Sequence, residues 1–288
     1  MHVRRAGSNS FRRRLHLLTR GVAAALEQPA PASWSVAAPG GDGAFEGQVV
    51  VITGAAGVLG SALVDAFASA SARVHALDVD ADGLAACTAE RSSSSTWAGL
   101  VSDHCVDLLS TPSILRFAST LSTIDVLVHN AGHNDKVADV TDVTMDAFRR
   151  MLEVNVVGPT TLTGALTPAL VSGEGGSIVF LTSIHSSRSS RWVPYGTAKG
   201  ALRKLVTDLA GAMAEKGVRV NAVAPARTAD KALDPDGRLT PLHLLGSSAV
   251  PIEAVSHAVL FLADRHRSPM TTGQELVVDG GALLAPRR

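Results

Sequence analysis

From residue 48 onward the chain alternates short β-branched runs with longer alanine- and leucine-rich segments of helical period, and few folds accommodate that alternation. The runs fall at 49–52, 73–77, 124–128, 177–181, 218–223 and 275–278, with a weaker one at 104–106. Side chains alternate across a strand with a period of two and recur along a helix with a period of 3.6. Repeated strand–helix–strand succession builds βαβ units, whose strands lie parallel because each helix carries the chain back along the sheet. Several runs are apolar at every position, as in Val49-Val50-Val51-Ile52, which fits strands covered on both faces. The expectation is a single α/β domain with a doubly wound parallel sheet of about seven strands and helices on both faces.

The 288 residues suffice for one such domain and an appendage. Lysine plus arginine (26) balance aspartate plus glutamate (26), so no overall field steers the protein to nucleic acid or an anionic membrane, and a small-molecule partner fits better. Two cysteines, Cys87 and Cys105, supply neither a disulfide framework nor a zinc site; a reducing compartment, the cytoplasm, is expected, and no metal. No run of about 18 apolar residues is present, so no membrane span is expected. Residues 1–45 form a separate arm and linker. Arg4, Arg5, Arg12, Arg13, Arg14 and Arg20 all precede the first acid, Glu27, and a Pro/Ala/Gly stretch follows at 29–43. Residues 11–26 have the pattern of a basic amphipathic helix. Two readings stay open: an arm that is disordered or packs on a neighbouring subunit, or an organellar targeting leader. The arginines interrupt any secretory-type apolar stretch. The catalytic domain is then expected to occupy residues 46–288.

Directly after the first run comes Thr53-Gly54-Ala55-Ala56-Gly57-Val58-Leu59-Gly60, followed by a helical segment at 61–70. A strand, a glycine turn and a helix in that order make a dinucleotide cradle of the Rossmann type. Glycine lets the backbone approach a pyrophosphate, and the helix N-terminus offers free N–H groups and partial positive charge. Asp78 stands 18 residues past Gly60, at the end of the second run, where a carboxylate accepts hydrogen bonds from the adenosine ribose and repels a 2′-phosphate. No lysine or arginine stands beside it in Leu77-Asp78-Val79-Asp80, so NAD is favoured over NADP.

Ser183 precedes Tyr195-Gly196-Thr197-Ala198-Lys199, which opens a helical pattern running to about residue 215. Residues four apart share a helix face, and Tyr195 is the only tyrosine in the chain. A phenol is a poor base near its reference pKa of about 10. An ammonium beside it stabilises the phenolate and brings it toward neutral-pH proton transfer.

These residues resemble the classical short-chain dehydrogenases/reductases over residues 46–284. The glycine loop and Tyr-x-x-x-Lys are joined by Asn130-Ala131-Gly132, by Asn155 in Glu153-Val154-Asn155-Val156, by the run Arg219-Val220-Asn221-Ala222-Val223-Ala224-Pro225, and by Thr272-Gly273-Gln274 ahead of Asp279-Gly280-Gly281. The resemblance implies that Tyr195 is the general acid/base, that Ser183 hydrogen-bonds the substrate oxygen, and that Lys199 holds the nicotinamide ribose and tunes Tyr195. It further implies that Asn155 anchors a relay water, that Asp107 contacts the adenine end, and that Asn130, Ala131 and Gly132 support the cofactor pocket, with Pro225 and Thr228 near the nicotinamide. A homotetramer or homodimer is implied as well.

Three departures from that family stand out: Val58 in place of a glycine, His129 in place of the first asparagine of Asn-Asn-Ala-Gly, and Pro225-Ala226 in place of Pro-Gly. The spacing of Gly54, Gly57 and Gly60 is closer to the extended subfamily, but only 89 residues follow Lys199, too few for that subfamily's substrate domain. His129 and His133 are four apart with Asp135 nearby, yet they fall on a strand end and loop, where that spacing does not align two ligands. His133, His185 and Trp192 are candidates for the substrate pocket, Arg188 and Arg191 for its mouth, and the leucine-rich segment 228–250 for a lid. The expected function is NAD(H)-dependent hydride transfer between a secondary alcohol and a ketone. The competing readings are a non-redox epimerase or dehydratase with bound NAD and a catalytically silent NAD(H)-binding regulator.

Overall fold

The computed structural model describes residues 43–92, 99–135, 139–173, 175–228, 244 and 249–284. The arginine-rich arm and most of the leucine-rich segment lie outside them. Seven strands form one parallel sheet: β1 (Val49–Thr53), β2 (Arg73–Asp78), β3 (Val101–Cys105), β4 (Val126–His129), β5 (Ser177–Leu181), β6 (Arg219–Pro225) and β7 (Glu275–Val278). Their spatial order is β3-β2-β1-β4-β5-β6-β7, with β1 as the point where the winding reverses. The doubly wound sheet is thus observed, with all six strand pairs parallel.

Among the described residues seven α-helices connect the strands: α1 (Val58–Ser69), α2 (Ala81–Ser92), α3 (Thr111–Ala118), α4 (Met145–Leu152), α5 (Gly158–Val171), α6 (Val193–Ala214) and α7 (Ile252–Ala263). Alternation within β1 shows why the sheet needs both layers. Val50 and Ile52 join one buried cluster with Leu63, Phe67, Val259 and Leu262 of α1 and α7. Val51 joins the opposite cluster with Phe117, Leu166, Leu202 and Val206 of α3, α5 and α6. Each all-apolar run therefore serves two cores at once.

Three boundaries differ from the sequence pattern. The β3 strand begins at Val101 rather than near residue 104, because Val-Ser-Asp-His-Cys on the sheet edge is mostly solvent-facing and carries little apolar signal. The first helix begins at Val58, inside the glycine motif, and α6 begins at Val193 with a proline in its first turn. Phe45, assigned to the linker by composition, is only 1% exposed and packs edge-on against Phe67 with ring centroids 5.0 Å apart.

Between α4 and α5 the helix widens into a π turn over Glu153–Val157, which holds Asn155. Such turns insert a residue into the helical ladder and redirect a side chain. Among the described residues no helix is long and apolar enough to cross a membrane.

Candidate active site

The loops that follow β1, β2, β3 and β4 line a cavity of about 750 Å³, reached by Gly54, Gly57, Val58, Leu59 and Gly60 from the first loop. Asp78 and Val79 come from the second, Asp107 to Leu109 from the third, and Asn130 to His133 from the fourth. Crevices at the carboxyl ends of strands beside the winding reversal are where open α/β sheets bind ligands.

The glycines have distinct reasons. Gly54 has φ +67°, and a Cβ there would lie 2.7 Å from the Ala131 Cα. Gly60 faces the carbonyl of Gly54 so closely that a Cβ would sit 1.9 Å from its oxygen. Gly57 has only ordinary contact, 3.5 Å to the Gly54 oxygen, and opens onto the cavity. Gly57 also caps α1 without a side-chain hydrogen bond, and no acid stands in the first turn. The first-turn N–H groups therefore remain for a ligand or water. A backbone cradle that two Cβ atoms would fill, ending on an uncapped helix, fits a pyrophosphate. Val58, where the family pattern has a further glycine, is 59% exposed at the helix start.

Asp78 accepts the Ala56 N–H at 3.0 Å and the Asp80 N–H at 3.1 Å, one on each carboxylate oxygen. Each oxygen keeps a further lone pair for a hydroxyl. Asp107 organises its own turn, accepting the Leu109 N–H at 2.8 Å. Asn130 donates to the carbonyls of Thr53 (3.1 Å) and Gly54 (3.0 Å), while Thr53 Oγ1 accepts the N–H groups of Asn130 and Ala131, both at 3.1 Å. Thr53 carried no sequence signal beyond its place at a strand end.

At the other end, Tyr195 is largely buried and the Ser183 hydroxyl is near enough to favour its ionised form. Ser183 Oγ also accepts the His185 N–H at 3.3 Å. Lys199 is buried and donates to the Leu181 carbonyl at 2.8 Å; burial pulls its pKa down to about 8. Here the structure corrects the sequence expectation. The Lys199 ammonium lies 5.8 Å from the Tyr195 ring centre, and burial holds the Tyr195 phenol above its ordinary value, with the Ser183 hydroxyl acting the other way. The Lys199 ammonium is directed at the Leu181 carbonyl. Asn155 is buried, donating to the carbonyls of His133 (3.0 Å) and Met151 (2.9 Å) and accepting the His133 N–H at 3.3 Å. Gly132 backs onto both groups: a Cβ there would lie 3.0 Å from Asn155 Oδ1 and 3.4 Å from Lys199 Nζ.

His185, Trp192 and Tyr195 cluster, with ring centroids 5.4 Å (His185–Trp192), 5.9 Å (His185–Tyr195) and 6.4 Å (Trp192–Tyr195) apart. Pro225 and Thr228 are not among the cavity-lining residues; Pro225 ends β6, and Thr228 bridges to Val250. His133 lines the cavity and pairs with Asp135. His129 is buried instead, stacked on Phe180 at 4.5 Å and 2.8 Å from Thr163 Oγ1. Thr163 spends its proton on the Pro159 carbonyl, so His129 donates through Nε2 and is held neutral. Among the described residues no group of three or more potential ligands could hold a metal.

Burial alone lowers the His129 pKa from 6.5 to about 3. The unfolded chain then takes up a proton below pH 6.5 that the folded chain refuses, so stability from this group is complete above that pH and declines as pH falls toward 3. At pH 5 the loss is on the order of 2 kcal/mol. Urea unfolding at pH 7.5 and pH 5 measures it, and His129→Asn should remove most of that difference. His75, His104 and His185 are also lowered by burial and leave a residual slope.

The family model for short chain dehydrogenases matches residues 48–235. L-fucose dehydrogenase of Oryctolagus cuniculus is 32% identical over 252 residues, covering 83% of this chain and 86% of the relative. D-threitol dehydrogenase of Mycolicibacterium smegmatis is 28% identical over 251 residues, covering 83% and 94%. Among solved structures, carveol dehydrogenase from Mycobacterium avium in complex with NAD superposes with a TM-score of 0.77 at 24% identity, over 84% of this chain and all of that one. The matched model, the relatives' identity over most of their length, and the strand order together place this chain in the short-chain dehydrogenase/reductase family of oxidoreductases, in its classical form.

Proposed function

We propose that residues 46–288 form an NAD(H)-dependent dehydrogenase that interconverts a secondary alcohol and a ketone, with Tyr195 as general acid/base. The observation that carries this reading is the gathering of buried Ser183 and buried Lys199 at Tyr195, with Lys199 Nζ 5.8 Å from the Tyr195 ring centre, at the carboxyl end of the same sheet whose loops form the glycine-cradled cavity. Gly54, Gly57, Val58, Leu59 and Gly60 would hold the pyrophosphate, Asp78 the adenosine ribose, Asp107 the adenine end, and Asn130, Ala131 and Gly132 the wall toward the nicotinamide. Bound nicotinamide supplies hydride acceptance or donation at carbon. The protein's own part is to orient the alcohol and move its hydroxyl proton. Ser183 fixes the substrate oxygen, and Tyr195 takes the proton in oxidation or returns it in reduction. Lys199, its ammonium 5.8 Å from the Tyr195 ring centre, would hold the nicotinamide ribose, and Asn155 braces the His133 loop. His185 and Trp192 pack beside Tyr195 and would contact the rest of the substrate. The relatives named for L-fucose and D-threitol support a sugar or polyol substrate.

Fluorescence titration with NADH and NADPH, together with turnover of a panel of sugars, polyols and other secondary alcohols, tests the cofactor and substrate class. NADH should bind more tightly than NADPH. Asp78→Ser removes a charge-assisted acceptor, worth roughly tenfold to a hundredfold in NADH affinity, and should erase most of the discrimination. A wild-type preference for NADPH would overturn the role given to Asp78.

A further inference from the structure

Glu275 opens the edge strand β7, far from Tyr195 in sequence, and nothing in the reading above uses it. Its side chain is only 8% exposed, and it receives an unusual set of donors. Thr182 Oγ1 donates to its Oε1 at 2.6 Å, and Ser186 Oγ approaches the two carboxylate oxygens at 2.9 and 3.2 Å. Arg203 Nε completes the set at 3.1 Å.

The donors' places in the chain give this arrangement its meaning. Thr182 immediately precedes Ser183, and Ser186 follows it by three, so one carboxylate grips the Ser183 turn on both sides. Inside that turn, the Ser186 N–H donates to the Ser183 carbonyl at 2.8 Å. Arg203 lies on α6 four residues beyond Lys199 and eight beyond Tyr195, so all three fall on one helix face. The ion pair therefore ties the helix that bears Tyr195 to the turn that bears Ser183. A mostly buried carboxylate keeps its partners in a fixed geometry, since releasing any of them would leave charge unsatisfied.

We propose that Glu275, through its ion pair with Arg203 and its hydrogen bonds from Thr182 and Ser186, is a positioning residue that sets Ser183 against Tyr195. The inference rests on the catalytic reading given above. Proton transfer is sensitive to placement on the scale of an ångström, and such misplacement costs up to about a hundredfold. Because the Ser183 hydroxyl favours the Tyr195 phenolate, displacing it should also move the titration of Tyr195 upward.

The test compares wild type with Glu275→Gln, Arg203→Gln and Tyr195→Phe in NAD-dependent oxidation of the best panel substrate, recording kcat, KM, the pH dependence of kcat, NADH affinity and Tm. Glu275→Gln retains an oxygen for Thr182 and Ser186 but loses the ion pair, and Arg203→Gln breaks the same pair from a half-exposed side chain. Both should lower kcat roughly tenfold, leave KM and NADH affinity within about twofold, and move the alkaline-rising limb of the kcat profile to higher pH. An unchanged kcat and limb in both variants overturns the proposal, as does a kcat loss with an unmoved limb that tracks a fall in Tm, which is the mark of a purely structural ion pair. Turnover surviving in Tyr195→Phe would instead overturn the catalytic reading itself.

Discussion

Replacing Tyr195 with phenylalanine should lower kcat by roughly 10²–10⁴-fold while leaving NADH affinity and thermal stability near wild type. The substitution removes one oxygen and keeps the ring that packs against His185 and Trp192. Ser183 keeps the His185 N–H as a donor. No other phenol exists in the chain to replace it. Lys199 is committed to the Leu181 carbonyl, so it is poorly placed to take over proton transfer. The structure adds a second expected result. Burial raises the phenol pKa in the free protein, so oxidation should quicken with rising pH, and the rise should vanish with the hydroxyl. A kcat for Tyr195→Phe within tenfold of wild type would sink the mechanism.

Gly60→Ala should cost roughly 3 kcal/mol of stability, lowering Tm by roughly 5–10 °C, and should abolish measurable NADH binding. A Cβ at that position would lie 1.9 Å from the Gly54 oxygen, 2.7 Å from its carbonyl carbon and 2.9 Å from the Ala55 Cα. All three neighbours are backbone, so no rotamer change relieves the overlap; α1 must move away from β1 or the loop must open. Either motion drags the helix terminus out of the cavity. Gly57→Ala is the informative partner. Its Cβ would meet nothing nearer than 3.5 Å, so Tm should stay within about 2 °C, while the added methyl obstructs the pyrophosphate approach and weakens NADH binding. Differential scanning fluorimetry and NADH titration separate the two. A Gly60→Ala protein with wild-type Tm and affinity would show that the contact relaxes at no cost and would remove the packing explanation for that glycine.

The sequence is most legible where one physical demand acts alone. Strands β1, β5 and β6 are covered on both faces, so every position is apolar or paired and the runs stand out. The glycine loop is legible for a similar reason, since only glycine satisfies both the φ of Gly54 and the clearance at Gly60. Edge strand β3 was misplaced by about three residues because its side chains answer to solvent as much as to the sheet. Spacing alone put Tyr195 and Lys199 on one face but could not say where the ammonium points. That depends on the Leu181 carbonyl, which β5 brings up beside α6. The π turn at Asn155 left no trace in the hydrophobic period, and the Glu275 network joins residues 72 to 93 apart in the chain, where local patterns carry no information.

The stitch between Thr53 and Asn130 has a wider consequence. The winding of the sheet reverses at the seam between β1 and β4, which pair directly and share both buried clusters with the flanking helices. Here two side chains from neighbouring strands exchange four hydrogen bonds across the seam, each satisfying the other strand's backbone. These bonds fix the floor of the crevice, and a floor held by its own hydrogen bonds leaves less backbone freedom to be lost when a ligand settles there. Adaptation to new substrates can then proceed in the walls above, around His185 and Trp192, without disturbing the ground on which the coenzyme would rest.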